Sequence, residues 1–173
     1  AGNPCDLRKF KKLTRKYNLI IIEDAAHALG SEYEGQKIGG GKYSEFTVTS
    51  FHPVKTITTA EGGAIFLKDK KTYEILNCLR SNGIMKKKFF NKKYYDQIYS
   101  SLNFRLSDLH AAIGISQLKK IKKFVNYRNQ ISNKYKKKIN NKNIFYQNIR
   151  KNSLSSFHLF IKRIKNINFK KKL

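Results

Sequence analysis

The chain has 173 residues, which is enough for one domain or for a domain and part of a second. Hydrophobic residues make up 40% of it, enough for a core, and no apolar run approaches the roughly 20 residues that a membrane-spanning helix needs. The two cysteines, Cys5 and Cys78, show neither metal spacing nor a disulfide framework, so we expect reduced thiols in a cytoplasmic protein.

The positive charge is concentrated in the second half of the chain. Of 37 basic and 11 acidic side chains, residues 86–173 hold 24 and 2, a net charge of +22. A strongly basic half is typical of proteins that bind nucleic acid or anionic surfaces. The alternative is a biased genome, because Lys, Asn, Ile, Phe and Tyr are all abundant and all have A/T-rich codons. The basic residues are scattered and form no coherent motif, which favours the second explanation.

The first predicted elements are a helix and a buried strand. Asp6 can cap a helix from Leu7 to about Tyr17, whose apolar residues fall at helical spacing. Residues 19–22 are Leu-Ile-Ile-Ile, a short apolar run that predicts a strand buried on both faces, as in a parallel sheet. A helix followed by such a strand is typical of α/β proteins.

The middle of the chain predicts two more strands and a second helix. The pattern indicates, in order, a loop or short hairpin over 31–45, a strand over 46–51, a loop over 52–63, a strand over 64–67 and a helix over 71–81. Tyr73, Leu76 and Leu79 share one side of this helix, and we expect them to face inward.

The second half predicts mainly helices. Residues 82–104 are polar, aromatic and lysine-rich without periodicity, which indicates a long irregular segment. A helix is expected to start near Ser107, with Ala111, Ile115, Leu118 and Ile121 on one face, and to run into a second helix around 124–139. A last strand is predicted over 157–164.

Polar residues follow the predicted strands at the points where they end. Asp24 follows the first strand, with His27 three residues later, and Ser50 lies at the end of the second. Ligands of open α/β sheets bind beyond the carboxyl ends of the strands. An acidic residue in Asp24's position can also simply cap a helix or form a surface ion pair, and a strand-end histidine can be structural.

Lys55 stands out among the many lysines. It is the only basic residue between Lys42 and Lys68, and its neighbours Val54 and 56–59 are apolar or hydroxyl-bearing. Desolvation lowers the pKa of a lysine and favours its neutral amine. A neutral amine is the nucleophile needed for covalent chemistry with carbonyl compounds.

Three strings of residues, in this order, resemble one protein family. They are IIIEDAAHALGSEYEGQKIGG, SFHPVKTITTAEGG and NFRLSDLHAAIGISQL. The combination resembles the DegT/StrS group of nucleotide-sugar aminotransferases, over roughly residues 1–165. The resemblance implies an α/β, fold type I enzyme that uses pyridoxal 5'-phosphate (PLP). It also implies a partial fold: the mostly parallel sheet of the large domain plus the start of the small C-terminal domain.

The resemblance also implies residue roles. Lys55 matches the lysine that carries the cofactor covalently and then shuttles a proton. Asp24 matches the carboxylate that pairs with the pyridine nitrogen, where a negative charge keeps that nitrogen protonated. His27 matches a position that contacts the cofactor ring near its phenolic oxygen, and Ser50 a hydroxyl that binds the phosphate. Asn103 matches a residue that reaches the phosphate of the neighbouring subunit.

Two further residues are assigned less specific roles. His52, beside Lys55, is expected to touch cofactor or substrate. Arg105 is expected to support the Asn103 loop or a dimer contact, with contact to the substrate or cofactor as the alternative. The turn at 61–63 is expected to return the chain to the sheet, its glycines allowing a close backbone approach. No metal ligands are expected.

The implied reaction moves an amino group from glutamate to a sugar. The strings are most similar to those of enzymes that aminate C4 of a UDP-linked 4-keto-6-deoxy sugar on the route to pseudaminic acid. The resemblance implies a cytoplasmic homodimer with a shared active site, and no nucleic-acid partner. It divides the chain into residues 1–124, the C-terminal part of the PLP-binding domain, and 125–173, a linking helix and the start of the small domain.

Two alternatives stay open at this point. One is a basic nucleic-acid-binding protein. The other is a non-catalytic remnant of the same family, since family members are much longer and the chain is expected to be a fragment, whose activity alone is doubtful.

Overall fold

The computed structural model describes residues 1–89 and 92–165, with 86–89 and 92–94 described by their backbone alone. The elements are, in chain order, α1 (Leu7–Tyr17), β1 (Ile22–Asp24), β2 (Glu32–Tyr33), β3 (Gln36–Lys37), β4 (Phe46–Ser50), β5 (Gly63–Leu67), α2 (Lys70–Arg80), β6 (Ile84–Phe89), β7 (Lys92–Gln97), α3 (Asp108–Leu118), α4 (Ile121–Lys138), β8 (Ile144–Tyr146), β9 (Ser153–Leu154) and β10 (Lys162–Ile164).

A three-stranded sheet in the order β1-β4-β5 forms the framework. β1 and β4 are parallel, with Asp24 opposite Val48, and β4 and β5 are antiparallel, with Ser50 opposite Gly63. The parallel pair needs a crossover, which the hairpin β2–β3 and its flanking loops supply. Both parallel strands therefore end at the same edge of the sheet.

The start of the first strand differs from the prediction. α1 ends at Tyr17 as predicted, where Asn18 adopts the left-handed conformation, but β1 begins at Ile22 rather than at residue 19. The backbone N–H of Ile21 instead donates to Oε2 of Glu45 at 2.9 Å. The expected burial on both faces is also wrong, since Ile20 and Ile22 are each 68% exposed. β4 is the strand paired with β1 in the described part of the chain, so β1 lies at an edge of this sheet.

The core lies between α1 and the β2–β3 hairpin. It contains the buried residues Leu7, Ala25, Tyr33, Ile38 and Tyr43. Asp6 caps α1 by accepting a hydrogen bond from the Lys9 backbone N–H at 3.2 Å, as the sequence predicts. The Tyr33 hydroxyl donates to the same Asp6 carboxylate at 2.9 Å, and this bond is the main reason that the pKa of Asp6 is lowered. The helix cap and the hairpin therefore stabilise each other.

Helix α2 begins at the Asp69 cap and faces the open side of β4 and β5. Between them lies a mostly apolar cleft of about 650 Å³, and Tyr73, Leu76 and Leu79 are among the residues that line it. These three residues do share one side of the helix, as predicted. Tyr73 is nevertheless 54% exposed, because the cleft is open, and Cys78 is the buried residue of the helix.

The structure differs from two predictions made for the second half of the chain. The segment expected to be irregular contains the antiparallel hairpin β6–β7, in which Ile84 lies opposite Gln97. Backbone hydrogen bonds pair these two strands although their sequence does not alternate between apolar and polar residues. The strand expected over 157–164 is only β10, paired with β8, because residues 155–159 bind other parts of the chain instead.

Helices α3 and α4 form as predicted and pack beside the carboxyl edge of the sheet. The Ser107 hydroxyl caps α3 by accepting from the His110 N–H at 3.3 Å. A Cβ on Gly114 of α3 would lie 2.8 Å from Thr59, and a Cβ on Gly30 would lie 2.8 Å from Val125 of α4. The two helices are thus placed directly against the loops that follow β4 and β1. Among the described helices, none combines the length and apolar character of a membrane span.

Candidate active site

Two of the predicted site residues lie at neighbouring strand ends. Asp24 is the last residue of β1 and Ser50 the last of β4, and the two strands run parallel. The Asp24 carboxylate is exposed and accepts a hydrogen bond from the Ala26 N–H at 3.0 Å, which fixes the turn after the strand. The sheet therefore presents a carboxylate and a hydroxyl at one edge.

The loop that carries Lys55 is held by hydroxyl groups. Thr59 Oγ1 donates to the Glu61 carbonyl at 2.7 Å, and Thr58 Oγ1 donates to the Phe51 carbonyl at 3.1 Å. Thr56 and Thr59 are buried, at 5% and 1% exposure. These side-chain hydrogen bonds take the place of strand pairing and hold the loop backbone on both sides of Lys55.

Lys55 itself is half-buried, and its backbone N–H donates to the His52 carbonyl at 2.9 Å. Among the described residues, none forms a hydrogen bond or ion pair with its amine. A lysine on a fixed loop with an uncommitted amine is free to react with a bound carbonyl compound.

Two histidines meet beside this loop. The imidazoles of His27 and His158 have their centroids 4.2 Å apart at an interplanar angle of 44°. The amino nitrogen of Ala1 lies 3.3 Å from Nδ1 of His27. His158 is 9% exposed, and its Nδ1 has no hydrogen-bond partner among the described residues. The histidine pair therefore forms one wall of the site.

Residues 155–159 are fixed by bonds to distant parts of the chain. The Ser156 N–H donates to Ser31 Oγ at 2.9 Å, and Ser156 Oγ donates to the His27 carbonyl at 2.8 Å. Arg128 of α4 donates to the carbonyls of Phe157 and His158, both at 3.2 Å. The segment that carries His158 is thus tied both to the turn after β1 and to α4.

The causes of the lowered pKa values of His27 and His158 show which charged groups act on the two rings. Burial lowers the pKa of His27, the positive charges of Lys55 and the Ala1 amino group lower it further, and the Asp24 carboxylate opposes them. Burial is also the main cause that lowers the pKa of His158 to about 4, followed by His27, Lys55 and Arg128. The charges of Asp24 and Lys55 therefore both reach His27, and burial favours the neutral form of both imidazoles.

Other predicted residues are placed apart from this cluster or only next to it. His52 is exposed, and its Nε2 lies 3.9 Å from Glu61. The Asn103 side chain accepts a hydrogen bond from the Arg105 N–H at 3.2 Å, and both residues are exposed ahead of α3. The described contacts do not join Asn103 or Arg105 to the histidine pair.

His158 is the residue of this cluster that the sequence pattern did not reveal. It lies in the strand predicted over 157–164, while the structure places it beside His27. The one available signal was the histidine itself, one of four in the chain. Its partner lies far away in the sequence, so its position could not be predicted from local patterns.

Comparison with known proteins shows which family the chain belongs to. The profile of the DegT/DnrJ/EryC1/StrS aminotransferase family matches residues 1–173. The chain is 40% identical over 162 residues to the UDP-4-amino-4,6-dideoxy-N-acetyl-beta-L-altrosamine transaminase of Campylobacter jejuni, an alignment that covers 92% of this chain and 42% of that protein. The chain therefore spans well under half the length of this relative.

Solved structures show the same fold. Helicobacter pylori PseC, an aminotransferase involved in the biosynthesis of pseudoaminic acid, matches with a TM-score of 0.88 and 34% identity over 99% of this chain and 46% of its own. A Streptococcus pneumoniae protein described as a sugar aminotransferase, in its PLP form, matches with a TM-score of 0.80 and 27% identity over 95% and 46%. The fold type I architecture expected from the sequence is confirmed for the part of the fold that this chain covers. The chain belongs to the DegT/DnrJ/EryC1/StrS aminotransferase family.

Proposed function

We propose that the protein is a PLP-dependent transaminase acting on a nucleotide-linked sugar. The observation that carries the proposal is that Asp24 and Ser50 end neighbouring parallel strands at one edge of the sheet. Near this edge the charges of Asp24 and Lys55 both act on His27. Membership of an aminotransferase family supports it.

The residues present fit this cofactor. Asp24 offers an exposed carboxylate for a pyridinium nitrogen, Ser50 a hydroxyl for a phosphate, and Lys55 an amine without a partner among the described residues. The Thr56 hydroxyl next to Lys55 is buried without a hydrogen-bond partner, as is Nδ1 of His158. These two buried polar atoms lack the hydrogen-bond partner that buried polar atoms usually have.

PLP, when bound, supplies an electron sink for the carbanion formed at the carbon that gains or loses the amino group. Asp24 holds a negative charge against the ring nitrogen and keeps the proton there. Lys55 would hold the cofactor through its amine and would move a proton to or from the α-carbon of the amino donor. Ser50 and the threonine-held loop orient these groups.

The substrate proposed is a UDP-linked 4-keto-6-deoxy sugar, with glutamate as the amino donor. The support is the 40% identity to a transaminase named for a UDP-4-amino-4,6-dideoxy sugar, and the likeness to a protein of pseudoaminic acid biosynthesis. The product would enter a cell-surface or flagellin glycan, and the reaction would take place in the cytoplasm.

We also propose that two copies share the active site. Asn103 and Arg105 are exposed just before α3, where a second subunit could meet them. In this arrangement Asn103 reaches the cofactor phosphate of the neighbouring subunit, and Arg105 supports its loop. His52, exposed beside Lys55, contacts the cofactor or substrate.

The test is covalent capture of the cofactor on Lys55. The protein is incubated with PLP, reduced with borohydride and mapped by peptide mass. Wild type should carry the reduced cofactor on Lys55 and lose the visible absorption of the bound form. Lys55→Ala should show neither, since the amine is gone, whereas Lys71→Ala, on the exposed side of α2, should behave as wild type. Label on other lysines with Lys55 unmodified would overturn the proposal.

The reaction itself requires a second assay. Glutamate-dependent amination should occur with a UDP-linked 4-keto-6-deoxy sugar and should fall at least a thousandfold in Lys55→Ala, because nucleophile and proton carrier are both lost. Cofactor capture on Lys55 without any amination would favour the non-catalytic alternative. Salt-sensitive DNA binding without cofactor capture would favour the nucleic-acid alternative.

A further inference from the structure

We infer that Thr59 is a positioning residue for Lys55, because its hydroxyl group closes the loop that carries the lysine and its methyl group sets that loop against α3. This loop joins β4 to β5, and we call residues 51–62 the Lys55 loop. The meaning of these contacts for catalysis rests on the proposed function, in which the Lys55 amine reacts with a carbonyl group.

The two ends of the Lys55 loop are joined at Phe51. The Phe51 N–H donates to the Gly62 carbonyl at 2.8 Å, and the Phe51 carbonyl accepts from the Thr59 N–H at 2.9 Å. Beside these bonds, the Thr59 hydroxyl donates to the Glu61 carbonyl at 2.7 Å and closes the last turn of the loop. No hydrogen bond or ion pair to the described residues holds the Lys55 amine. The position of the amine therefore depends on the backbone of this loop.

The turn that Thr59 closes contains a strained residue. Ala60 has a φ of +66°, in the left-handed region that a residue with a Cβ rarely adopts. Such a conformation persists only where the surrounding structure holds it. Two hydroxyl groups do so here, since Thr58 Oγ1 accepts from the Ala60 N–H at 2.9 Å and Thr59 Oγ1 bonds across Ala60 to Glu61. Loss of the Thr59 hydroxyl should therefore release the turn.

The methyl group of Thr59 lies against the middle of α3. A Cβ on Gly114 would lie 2.8 Å from Thr59 Cγ2, and outside its own stretch of helix it would meet no other heavy atom of the described residues within 4 Å. Glycine is an unfavourable helix residue, so its presence here fits the close approach of the methyl group. Leu106, ahead of α3, approaches the same loop, since its Cδ1 lies 2.8 Å from the position of a Cβ on Gly62.

One side chain therefore couples the helix to the loop. The Cβ of Thr59 carries both groups, so a rotation that moves the methyl away from α3 also moves the hydroxyl away from Glu61. Thr59 is 1% exposed, and water cannot readily replace a hydrogen bond that is lost there. Pressure from α3 on this methyl group should open the turn, and Lys55 should shift with it.

The first test is the reactivity of the Lys55 amine in the full chain without cofactor. Lysines are methylated with formaldehyde and cyanoborohydride, and peptide mass gives the rate at Lys55 relative to the exposed Lys71 of α2. Thr59→Val keeps the shape but loses the hydroxyl. It should raise the relative rate about threefold or more, because the half-buried amine becomes more accessible as the loop opens. Thr59→Ser keeps the hydroxyl and should react as wild type.

Thr14→Val is the matched control for loss of the hydroxyl. Thr14 Oγ1 donates to the Lys11 carbonyl at 3.0 Å, so this change removes the same kind of bond from α1. The relative rate at Lys55 should stay at its wild-type value. A rise equal to that in Thr59→Val would show that the lysine responds to any loss of stability, and would overturn the inference.

The second test isolates the contact with α3. Gly114→Ala alone should lower the urea midpoint of unfolding and raise the relative rate at Lys55, because the new methyl group overlaps Thr59 Cγ2. In the Thr59→Ser background that atom is absent. The same change should then raise the urea midpoint, as alanine for glycine does in a helix with free space, and should leave the rate at Lys55 unaltered.

An unchanged rate at Lys55 in a folded Thr59→Val protein would overturn the inference, as would equal effects of Gly114→Ala in the two backgrounds. If Thr59→Val does not fold, Gly114→Ala and its double variant with Thr59→Ser decide the question. Because no cofactor is present, these rates do not depend on the capture of PLP by Lys55. Failure of that capture would count against the proposed function, and unchanged rates would count against the role of Thr59.

Discussion

At the scale of single residues, Gly2 permits the close approach of the segments that carry His27 and His158. Its φ of +89° lies in the region that favours glycine, and a Cβ there would lie 2.3 Å from Ser156 Oγ and 3.0 Å from the backbone nitrogen of His158. The neighbouring carbonyl of Gly2 accepts hydrogen bonds from Ser31 and Ser156. Gly2 therefore allows three distant segments to meet, and a side chain at this position should separate them.

We expect Gly2→Ala to lower the free energy of unfolding by about 2–4 kcal/mol, because backbone strain adds to overpacking. Gly35→Ala is the matched control. Gly35 also has a positive φ, +71°, but a Cβ there would meet nothing within 4 Å, so about 1–2 kcal/mol is expected from strain alone. Urea denaturation of the two variants measures the difference, and equal losses would contradict this explanation.

At the scale of elements, Glu34 joins α1 to the turn of the β2–β3 hairpin. Its carboxylate lies 2.5 Å from Nη2 of Arg8 and accepts a hydrogen bond from the Tyr43 hydroxyl at 2.6 Å. The bond from Tyr43 is the larger cause of its lowered pKa, and the bond from Arg8 the next. Asn152, just before β9, also donates to it, at 3.2 Å. One carboxylate thus holds together a helix, a hairpin and the returning chain.

The sign of the pH dependence of this contact follows from linkage. A carboxyl whose folded pKa is depressed contributes stability above its ordinary value of about 4.3, and this contribution is lost as the pH falls through the folded pKa. Glu34→Gln should therefore be less stable than wild type at pH 7, and the difference should shrink on acidification below about pH 4. Denaturation at a series of pH values measures this, with Glu74→Gln on α2 as control. A difference independent of pH would contradict it.

At the scale of the whole molecule, α3 presents an apolar surface. The helix has no buried residue, and Leu109 and Ile115 are 80% and 60% exposed. Leu102 and Phe104, before the helix, are 67% and 64% exposed. Contiguous apolar surface of this kind is typical of protein interfaces. It borders Asn103 and Arg105, the residues that the proposed function assigns to subunit contact.

We therefore expect the protein to associate through α3. The double variant Leu109→Lys, Ile115→Lys should weaken self-association at least tenfold, because two charges would be desolvated in the interface. Sedimentation equilibrium gives the dissociation constants. Leu13→Lys, which places a charge on the 48% exposed Leu13 of α1, should have no such effect. Equal weakening by both changes would show that association does not depend on α3.

Local features of the site and fold were predictable from the sequence. The Asp6 and Ser107 caps and the α helices that follow them formed as expected, because a cap acts within one turn of chain. The hairpin over 84–97 was not predicted, because its lysines and tyrosines show no alternation. The division of the chain at residue 124 stays a prediction. It falls inside α4, and residues 166–173 lie outside the described part of the chain.

The sequence by itself determined which chemical groups lie at the strand ends, because Asp24, Ser50 and Lys55 stand at or just after segments whose pattern predicts strands. Only the tertiary structure decided which of these groups face one another. It placed the charges of Asp24 and Lys55 where both act on His27, and it brought His158 from the far end of the chain to that ring. The physical reason is that burial, and with it the charge state of an imidazole, depends on segments that no local pattern specifies.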